Sequence, residues 1–515
     1  MTKYLTVNGQ KIPFENAITP LAVMEQVETA YPVYLARFAQ RNIRLDEAIE
    51  AEGELQLLDI RDPSANMAYQ NSLILLYLKA VRDELGDVAV TIANPLSKGL
   101  YTTIRTALDD DKVSRVYERM KELAEMDLPF VQGNQQVSLA DYIHPLSSYT
   151  VPSTGHLKMF ELRRFRNGVL LRFPHILNPA VMPEFEEQRV IYEAFAEELH
   201  WQKITGIHDA TELNKVIEKG ELNSLILLCE ALHDKKITEI AAAIRNDQKR
   251  LILIAGPSSS GKTSFAKRLI IQLRVLGLKP LYLGTDDYFV NREDMIPDEN
   301  GKLDFESLDA VDIELFEQQM NTLLAGGKAD IPTFDFIEGK KVFGERITSV
   351  EAGQPIVVEG IHALNPKLTG MIAEEEKCRI YICPLTQLNL DAHHRVPTTD
   401  GRLLRRIARD ERTRGYSAET TLKAWRSVRE GEEVNVLPYS RYADMFFNSH
   451  CLYELPVLKR HVYHLLKEIP DTSEVYCEAQ RMLDFLDRFA DITDDSAVAV
   501  DSILREFIGG SVLVG

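Results

Sequence analysis

Gly256-Pro257-Ser258-Ser259-Ser260-Gly261-Lys262-Thr263 fits the phosphate-binding pattern G-x-x-x-x-G-K-[ST] without a mismatch. The run before it, Leu251-Ile252-Leu253-Ile254-Ala255, is short and apolar, as suits a buried parallel strand. After Lys262, apolar residues recur at Phe265, Leu269, Leu273 and Leu276, which is helical spacing. Strand, glycine loop and helix make up the setting in which this motif works. Gly256 and Gly261 let the backbone turn its N–H groups around phosphate oxygens. The helix N-terminus adds a partial positive charge, roughly half an elementary unit. Lys262 is expected to reach the outer phosphates, and Thr263 to offer its hydroxyl to Mg²⁺. Gly256, Pro257, Ser258, Ser259, Ser260, Gly261, Lys262, Thr263 and Ser264 thus form the expected binding segment for a nucleoside triphosphate such as ATP.

A chain of 515 residues has room for about two to four domains. It is 45% hydrophobic and 27% charged, the balance of a soluble globular protein. No run approaches the length of a membrane span, and the mixed, polar first 15 residues do not read as a secretory signal. Cys229, Cys378, Cys383, Cys451 and Cys477 are scattered, with no C-x-x-C pair. This argues against a disulfide framework and a structural zinc site, and suits a reducing cytosol, so a cytoplasmic location is expected. The net charge of −19 repels nucleic-acid phosphates, so no large nucleic-acid footprint is expected. One local basic cluster, in 395–429, stands against that background.

Lys3-Tyr4-Leu5-Thr6-Val7-Asn8, then Gly9-Gln10 and Lys11-Ile12-Pro13, reads as the start of a hairpin. Residues 21–28 are a short helix candidate and 54–59 a closing strand, together a small α+β unit. Residues 72–84 have helical periodicity at Leu73, Leu76, Leu78 and Val81. Short strands and helices are expected to alternate over 89–180, and 204–245 is helix-rich. From 250 to about 455 the order β, α, β, loop, α, β, α, β means a parallel sheet with crossover helices. Its later strands are placed at 281–283, 356–358, 379–383 and 445–447. The expected domains are 1–62, 63–185, a helical linker 186–245, 246–470 and a C-terminal helical extension 471–515.

In such sheets ligands bind at the carboxyl ends of the strands. The second strand runs into Gly284-Thr285-Asp286-Asp287-Tyr288-Phe289, where a carboxylate could accept a proton from a substrate hydroxyl or simply cap a turn. The third ends in Glu359-Gly360, a second anchor for Mg²⁺ or an ordinary strand-end acid. Arg402, Arg405, Arg406 and Arg409 are spaced over neighbouring helical faces, with Arg412 and Arg414 before Gly415. They could fold over a triphosphate, form a solvated helix paired with Asp400, Asp410 and Glu411, or make an RNA patch.

With these landmarks in order, residues 250–455 resemble the uridine kinase and phosphoribulokinase family. The match runs through the loop 256–263, Thr285-Asp286-Asp287-Tyr288-Phe289, Asp304-Phe305-Glu306-Ser307-Leu308-Asp309-Ala310, Pro332-Thr333-Phe334-Asp335-Phe336, Glu359-Gly360-Ile361, Asp400-Gly401-Arg402-Leu403-Leu404-Arg405-Arg406 with Arg409-Asp410, and Tyr442-Ala443-Asp444. The resemblance implies an α/β P-loop fold and ATP-dependent phosphorylation of a ribose 5′-hydroxyl. Asp286 would be the general base, Thr263 and Glu359 would hold Mg²⁺, and Arg402, Arg405 and Arg409 would sit on a lid over the phosphates. Lys262 would stabilise the transferring group. Tyr288, Phe289, Glu306 and Phe334, with Asp286, Arg402 and Arg405, would meet the acceptor. Three departures fall on the acceptor side. Phe334-Asp335-Phe336 is followed by Ile337-Glu338-Gly339-Lys340, without the family's uracil-contacting histidine. Glu306 stands for an Asp near the sugar, and the order Phe-Tyr becomes Tyr288-Phe289.

Residues 1–62 resemble a TGS domain, a β-grasp unit. Residues 63–175 resemble the α+β second domain of threonyl-tRNA synthetases, most clearly at Val151-Pro152-Ser153-Thr154-Gly155. Where that domain carries its editing histidines, this chain has Asn71, Leu75 and Thr150, and no cysteine lies within 1–228. No metal ligands are therefore expected there, His144 and His156 reading as two isolated histidines. Both units joined to the kinase region, together with Arg505-Glu506-Phe507-Ile508-Gly509-Gly510-Ser511, resemble a bacterial family of fused nucleoside or uridine kinases. The expected partner is a small-molecule nucleoside, with self-association by analogy and no membrane. Two alternatives stand beside this reading. One is a kinase of a sugar, phosphosugar or vitamin alcohol. The other is an RNA- or ribosome-associated nucleotide switch, which the missing N-K-x-D motif and the acidic total oppose.

Overall fold

Five fully buried residues, Leu251–Ala255, form the middle strand of a five-stranded parallel sheet in the computed structural model, which describes residues 2–133, 135–145, 148–295, 306–386 and 388–514. Burial on both faces explains why the run is apolar at every position rather than at alternate ones. Across the sheet the order is Leu281–Gly284, Ile356–Glu359, Leu251–Ala255, Lys377–Cys383, Met445–Asn448. The registers Ile254 with Glu359 and Gly284 with Glu359 bring three strand ends to one level. The glycine loop, Asp286 and Glu359 all leave the sheet from that edge. Helix Lys262–Val275 buries Phe265, Ala266, Leu269, Ile270 and Leu273.

Two differences from the expected order have local causes. No α-helix joins Ile356–Glu359 to Lys377–Cys383; two single 3₁₀ turns, Pro366–Thr369 and Glu374–Glu376, replace it. Pro366 and Gly370 interrupt any longer helix there. Between the second and third strands the chain adds two antiparallel ribbons, Lys328–Asp330 with Ile347–Ser349 and Thr333–Asp335 with Lys340–Val342. These strands are too short for an alternation signal. The landmark residues Asp304 and Phe305 lie outside the described residues.

The chain divides into two units. One holds residues 189–388, 396–468 and 482–515 and contains the parallel sheet; the other holds 1–188 with Asn389–Arg395 and Ile469–Arg481. In the latter, residues 3–59 make a mixed sheet in the order Gln10–Phe14, Lys3–Val7, Gly53–Asp59, Val33–Phe38, Arg41–Ile43. Gly53–Asp59 lies in the centre of this sheet, parallel to Lys3–Val7. The strands at 33–43 carried no turn signal strong enough to predict them. The short helix is a single turn, Pro20–Met24, capped by Thr19 and burying Pro20 and Val23. Helix Pro63–Leu85 begins nine residues before the predicted 72, because Asp62 caps it and the small buried Ala65 and Ala68 continue its inner face. A four-stranded antiparallel sheet, Glu161–Phe165, Gly168–Arg172, Gly99–Ile104, Val90–Leu96, follows with helix Asp110–Glu125. Residues 130–145 add a three-stranded sheet, so 89–180 is richer in strand than expected.

Candidate functional site

The phosphate loop is shaped by close approach. A Cβ on Gly256 would stand 2.0 Å from the Ile382 carbonyl oxygen. Gly261 has φ +84°, and a Cβ there would meet Ile503 Cγ2 at 2.3 Å. Ser259 also adopts a left-handed φ of 60°. Lys262 folds back over the loop, its Nζ donating to the carbonyls of Gly256 at 3.0 Å and Pro257 at 3.3 Å.

Beside the loop, Thr263 Oγ1 and the Tyr282 hydroxyl each donate to Glu359 Oε2 at 3.0 Å. This all-oxygen set of hydroxyl and carboxylate is chemistry a hard cation accepts, so the residues fit Mg²⁺. Asp286 lies in the 3₁₀ turn Thr285–Tyr288. Its surface is open to solvent, yet protein surrounds it closely on its other sides. That packed setting, then the charge of Glu359, push its carboxyl up to about 6; Lys262 opposes the shift, and Asp287 and Glu306 add to it. A carboxylate so poised can take a proton from a hydroxyl near neutral pH. Asp287 is committed elsewhere, accepting from Arg346 Nη1 at 2.7 Å.

The arginines are not arranged as a mobile lid. Arg402, 1% exposed, is bidentate to Glu432 at 3.0 and 2.6 Å. Glu432 Oε1 in turn accepts from the Ser258 N–H at 2.7 Å. Arg405, also 1% exposed, is bidentate to Glu454 at 2.6 and 2.7 Å, and its Nη1 reaches the carbonyls of Ser259 and Ser260 at 3.3 and 3.4 Å. These two side chains brace the loop from behind, and this corrects their expected place above it. Arg409 bonds Asp410 at 3.0 Å. The guanidinium that touches the phosphate loop from a half-buried position is that of Arg406, donating to Ser258 Oγ at 2.9 Å.

On the acceptor side, Tyr288 departs from expectation. It is fully buried and donates to Gln319 Oε1 at 2.9 Å, making it a core residue rather than a pocket wall. Phe289 and Phe334 pack edge to face with centres 5.6 Å apart, joined by the exposed Phe336 at 6.2 and 5.2 Å. Glu306 is half-buried and lies close enough to Asp286 to raise its pKa.

Glu432 and Glu506 were invisible to sequence reasoning. Ser264, fully buried, donates both Oγ–H and N–H to Glu506 Oε2 at 2.7 and 3.3 Å. Their separations from the loop, 174 and 242 residues, leave no local pattern to find. Arg406 stood in the predicted arginine cluster, but Leu403, Leu404 and Ile407 leave Arg402, Arg405 and Arg406 alike off their apolar face, so the helix phase does not single it out.

Residues 251–454 match the phosphoribulokinase / uridine kinase family. A uridine kinase of Macrococcus caseolyticus is 30% identical over 197 residues, covering 38% of this chain and 85% of the relative. One of Chloroflexus aggregans is 30% identical over 200 residues, with the same coverage of 38% and 85%. One of Ligilactobacillus salivarius is 29% identical over 205 residues, covering 39% of this chain and 86% of the relative. Among the described residues no helix is long and apolar enough to cross a membrane.

Proposed function

Because the chain belongs, through residues 251–454, to the phosphoribulokinase and uridine kinase family, we propose that it transfers a phosphoryl group from ATP to the 5′-hydroxyl of a nucleoside, uridine or cytidine first. The observation that carries this reading is the meeting of Lys262, Thr263, Asp286 and Glu359 at one sheet edge, with Asp286 raised to about 6. Asp286 orients the acceptor hydroxyl and takes its proton. Lys262 swings from the loop carbonyls to the outer phosphates, and Arg406 neutralises charge at the rim. Arg402 and Arg405 act through the loop they hold, and Arg409 through Asp410, which also pairs with Arg406 at 3.2 Å. Thr263 and Glu359 hold Mg²⁺, which supplies charge neutralisation to the transferring group. Catalysis of this kind is mostly positioning and electrostatics.

A second acceptor class, a sugar, phosphosugar or vitamin alcohol, is favoured by one feature. The segment after Phe336 presents Ile337, 87% exposed, and no histidine to read a base. We assign residues 1–62 to a TGS-like β-grasp unit and 63–185 to a synthetase-like unit, with a structural, substrate-gating or regulatory role.

The test is ATP-dependent phosphorylation of uridine, cytidine, adenosine, guanosine, inosine, ribose and pantothenate with Mg²⁺, using Asp286→Asn as control. Turnover of a nucleoside that the variant loses supports the reading. Turnover of ribose or pantothenate alone moves it to the second class. ATP binding with no turnover of any acceptor overturns both.

A further inference from the structure

Loop Asn389–Arg395 belongs with the N-terminal unit, although the chain on either side runs in the other. It is fastened there at Ile92: Asn389 Nδ2 donates to the Ile92 carbonyl at 3.0 Å, and the Ile92 N–H donates to the Ala392 carbonyl at 3.1 Å. Asp391 Oδ1 accepts from the N–H groups of both His393 and His394 at 2.9 Å. The loop thereby brings two adjacent imidazoles to His144, on strand Tyr142–Pro145. His144 Nε2 lies 2.9 Å from His393 Nδ1. The ring centres of His393 and His394 are each 5.0 Å from that of His144.

The tautomers are informative. The Pro145 carbonyl, 2.7 Å from His144 Nδ1, can only accept, so the ring proton sits on Nδ1 and Nε2 keeps its lone pair. The Asp391 carboxylate, 2.7 Å from His394 Nδ1, leaves the other nitrogen of that ring free of its proton in the same way. His393 Nδ1–H donates to the His144 lone pair at 2.9 Å, and a metal ion bound there would take the place of this proton, which moves to His393 Nε2. A carbonyl behind His144 and a carboxylate behind His394 make the arrangement that orients histidine ligands of a metal.

We propose that His144, His393 and His394 form a binding site for a zinc-type divalent transition-metal ion, with Asp391 and the Pro145 carbonyl orienting two of the rings and water completing the coordination. Metal–nitrogen bonds of about 2.0–2.1 Å at tetrahedral angles place nitrogens about 3.3 Å apart and ring centres about 5 Å apart. The ring centres of His393 and His394 already stand at that spacing from His144. Among the described residues no three donors yet surround one point, so binding opens the 2.9 Å contact by about 0.4 Å through small ring rotations. An all-imidazole set selects Zn²⁺, Co²⁺, Ni²⁺ or Cu²⁺ over Mg²⁺, which keeps this ion separate from the phosphate-loop cation. The expectation of no ligands in the N-terminal half came from counting within it, whereas two of the three imidazoles arrive from residues 393 and 394.

The full-length chain, stripped with a chelator, is titrated with Co²⁺ and then Zn²⁺ in excess Mg²⁺. One Co²⁺ per chain with visible d–d absorption, displaced by Zn²⁺, is expected. His144→Ala and His393→Ala should weaken binding about 100-fold or more, while His156→Ala and Cys451→Ser leave it unchanged. No binding at micromolar metal, or binding that persists in both cluster variants, overturns the proposal. Should the alanine variants fail to fold, the wild-type thermal midpoint decides: Zn²⁺ should raise it, and an unmoved midpoint overturns the site.

Discussion

Asp286 carries two opposite duties. Its carboxyl is raised to about 6 by packed surroundings and by Glu359. As a base it must be ionised, so kcat/KM for the acceptor should fall as pH drops through about 6, a profile measurable with saturating ATP. Asp286→Asn should lower kcat by about 10²–10⁴ with ATP affinity kept; normal turnover in that variant would remove Asp286 from the chemistry. The same shift has a cost in stability. A folded pKa above the unfolded one means the native state is penalised in full above about pH 6 and relieved as pH falls below the ordinary carboxylate value. Asp286→Asn should therefore raise the thermal midpoint at pH 7.5, with the advantage shrinking toward pH 4. Solvent access to the side chain keeps the gain small. An unchanged or lower midpoint at pH 7.5 would contradict the shift.

Helix Thr398–Arg414 acts as a brace for the phosphate loop. Its inner guanidiniums are neutralised by buried carboxylates of two other helices, Glu432 in Ala418–Asn435 and Glu454 in Glu454–Lys467. Breaking one partner of a buried pair costs about 3–5 kcal/mol, because the other charge is left unpaired in a poorly solvated place. Arg402→Ala should destabilise the protein by that order in urea denaturation and weaken ATP binding, since Glu432 also holds the Ser258 N–H. A loss below about 1 kcal/mol would mean the pair is dispensable, as exposed pairs are. The helix itself was legible in advance from its amphipathic pattern. Which arginines point inward was not: the count of charges on a face says nothing about where Glu432 and Glu454 stand.

The C-terminal residues complete the sheet-bearing unit. Ile503 lies against Gly261, Glu506 caps Ser264, Arg412 donates to the Glu506 carbonyl at 2.9 Å, and Phe507 lies under Arg405 with a guanidinium-to-ring distance of 5.0 Å. Val498, Ile503, Leu504, Phe507 and Ile508 are all buried. Burying such side chains is worth about 1.5–3 kcal/mol each, and five together rival the whole net stability of a domain, about 5–15 kcal/mol. Deleting residues 496–515 should therefore leave no soluble, ATP-binding protein. A truncated chain with an unchanged melting point would show the segment to be ornamental.

What the residues declare on their own is whatever local chain chemistry controls. The strand–loop–helix at 251–275, the parallel sheet and the carboxylates at strand ends 286 and 359 follow from apolar runs, glycines and spacing, all within reach of a short window. What needed the folded chain is every partnership across long separations: Glu432 and Glu506 on the loop, Tyr288 turned into the core, Arg406 rather than Arg402 at the rim, and His144 joined by His393 and His394. Such pairings are set by how elements pack, because a buried charge or imidazole takes its partner from whichever element lies beside it, however distant in sequence.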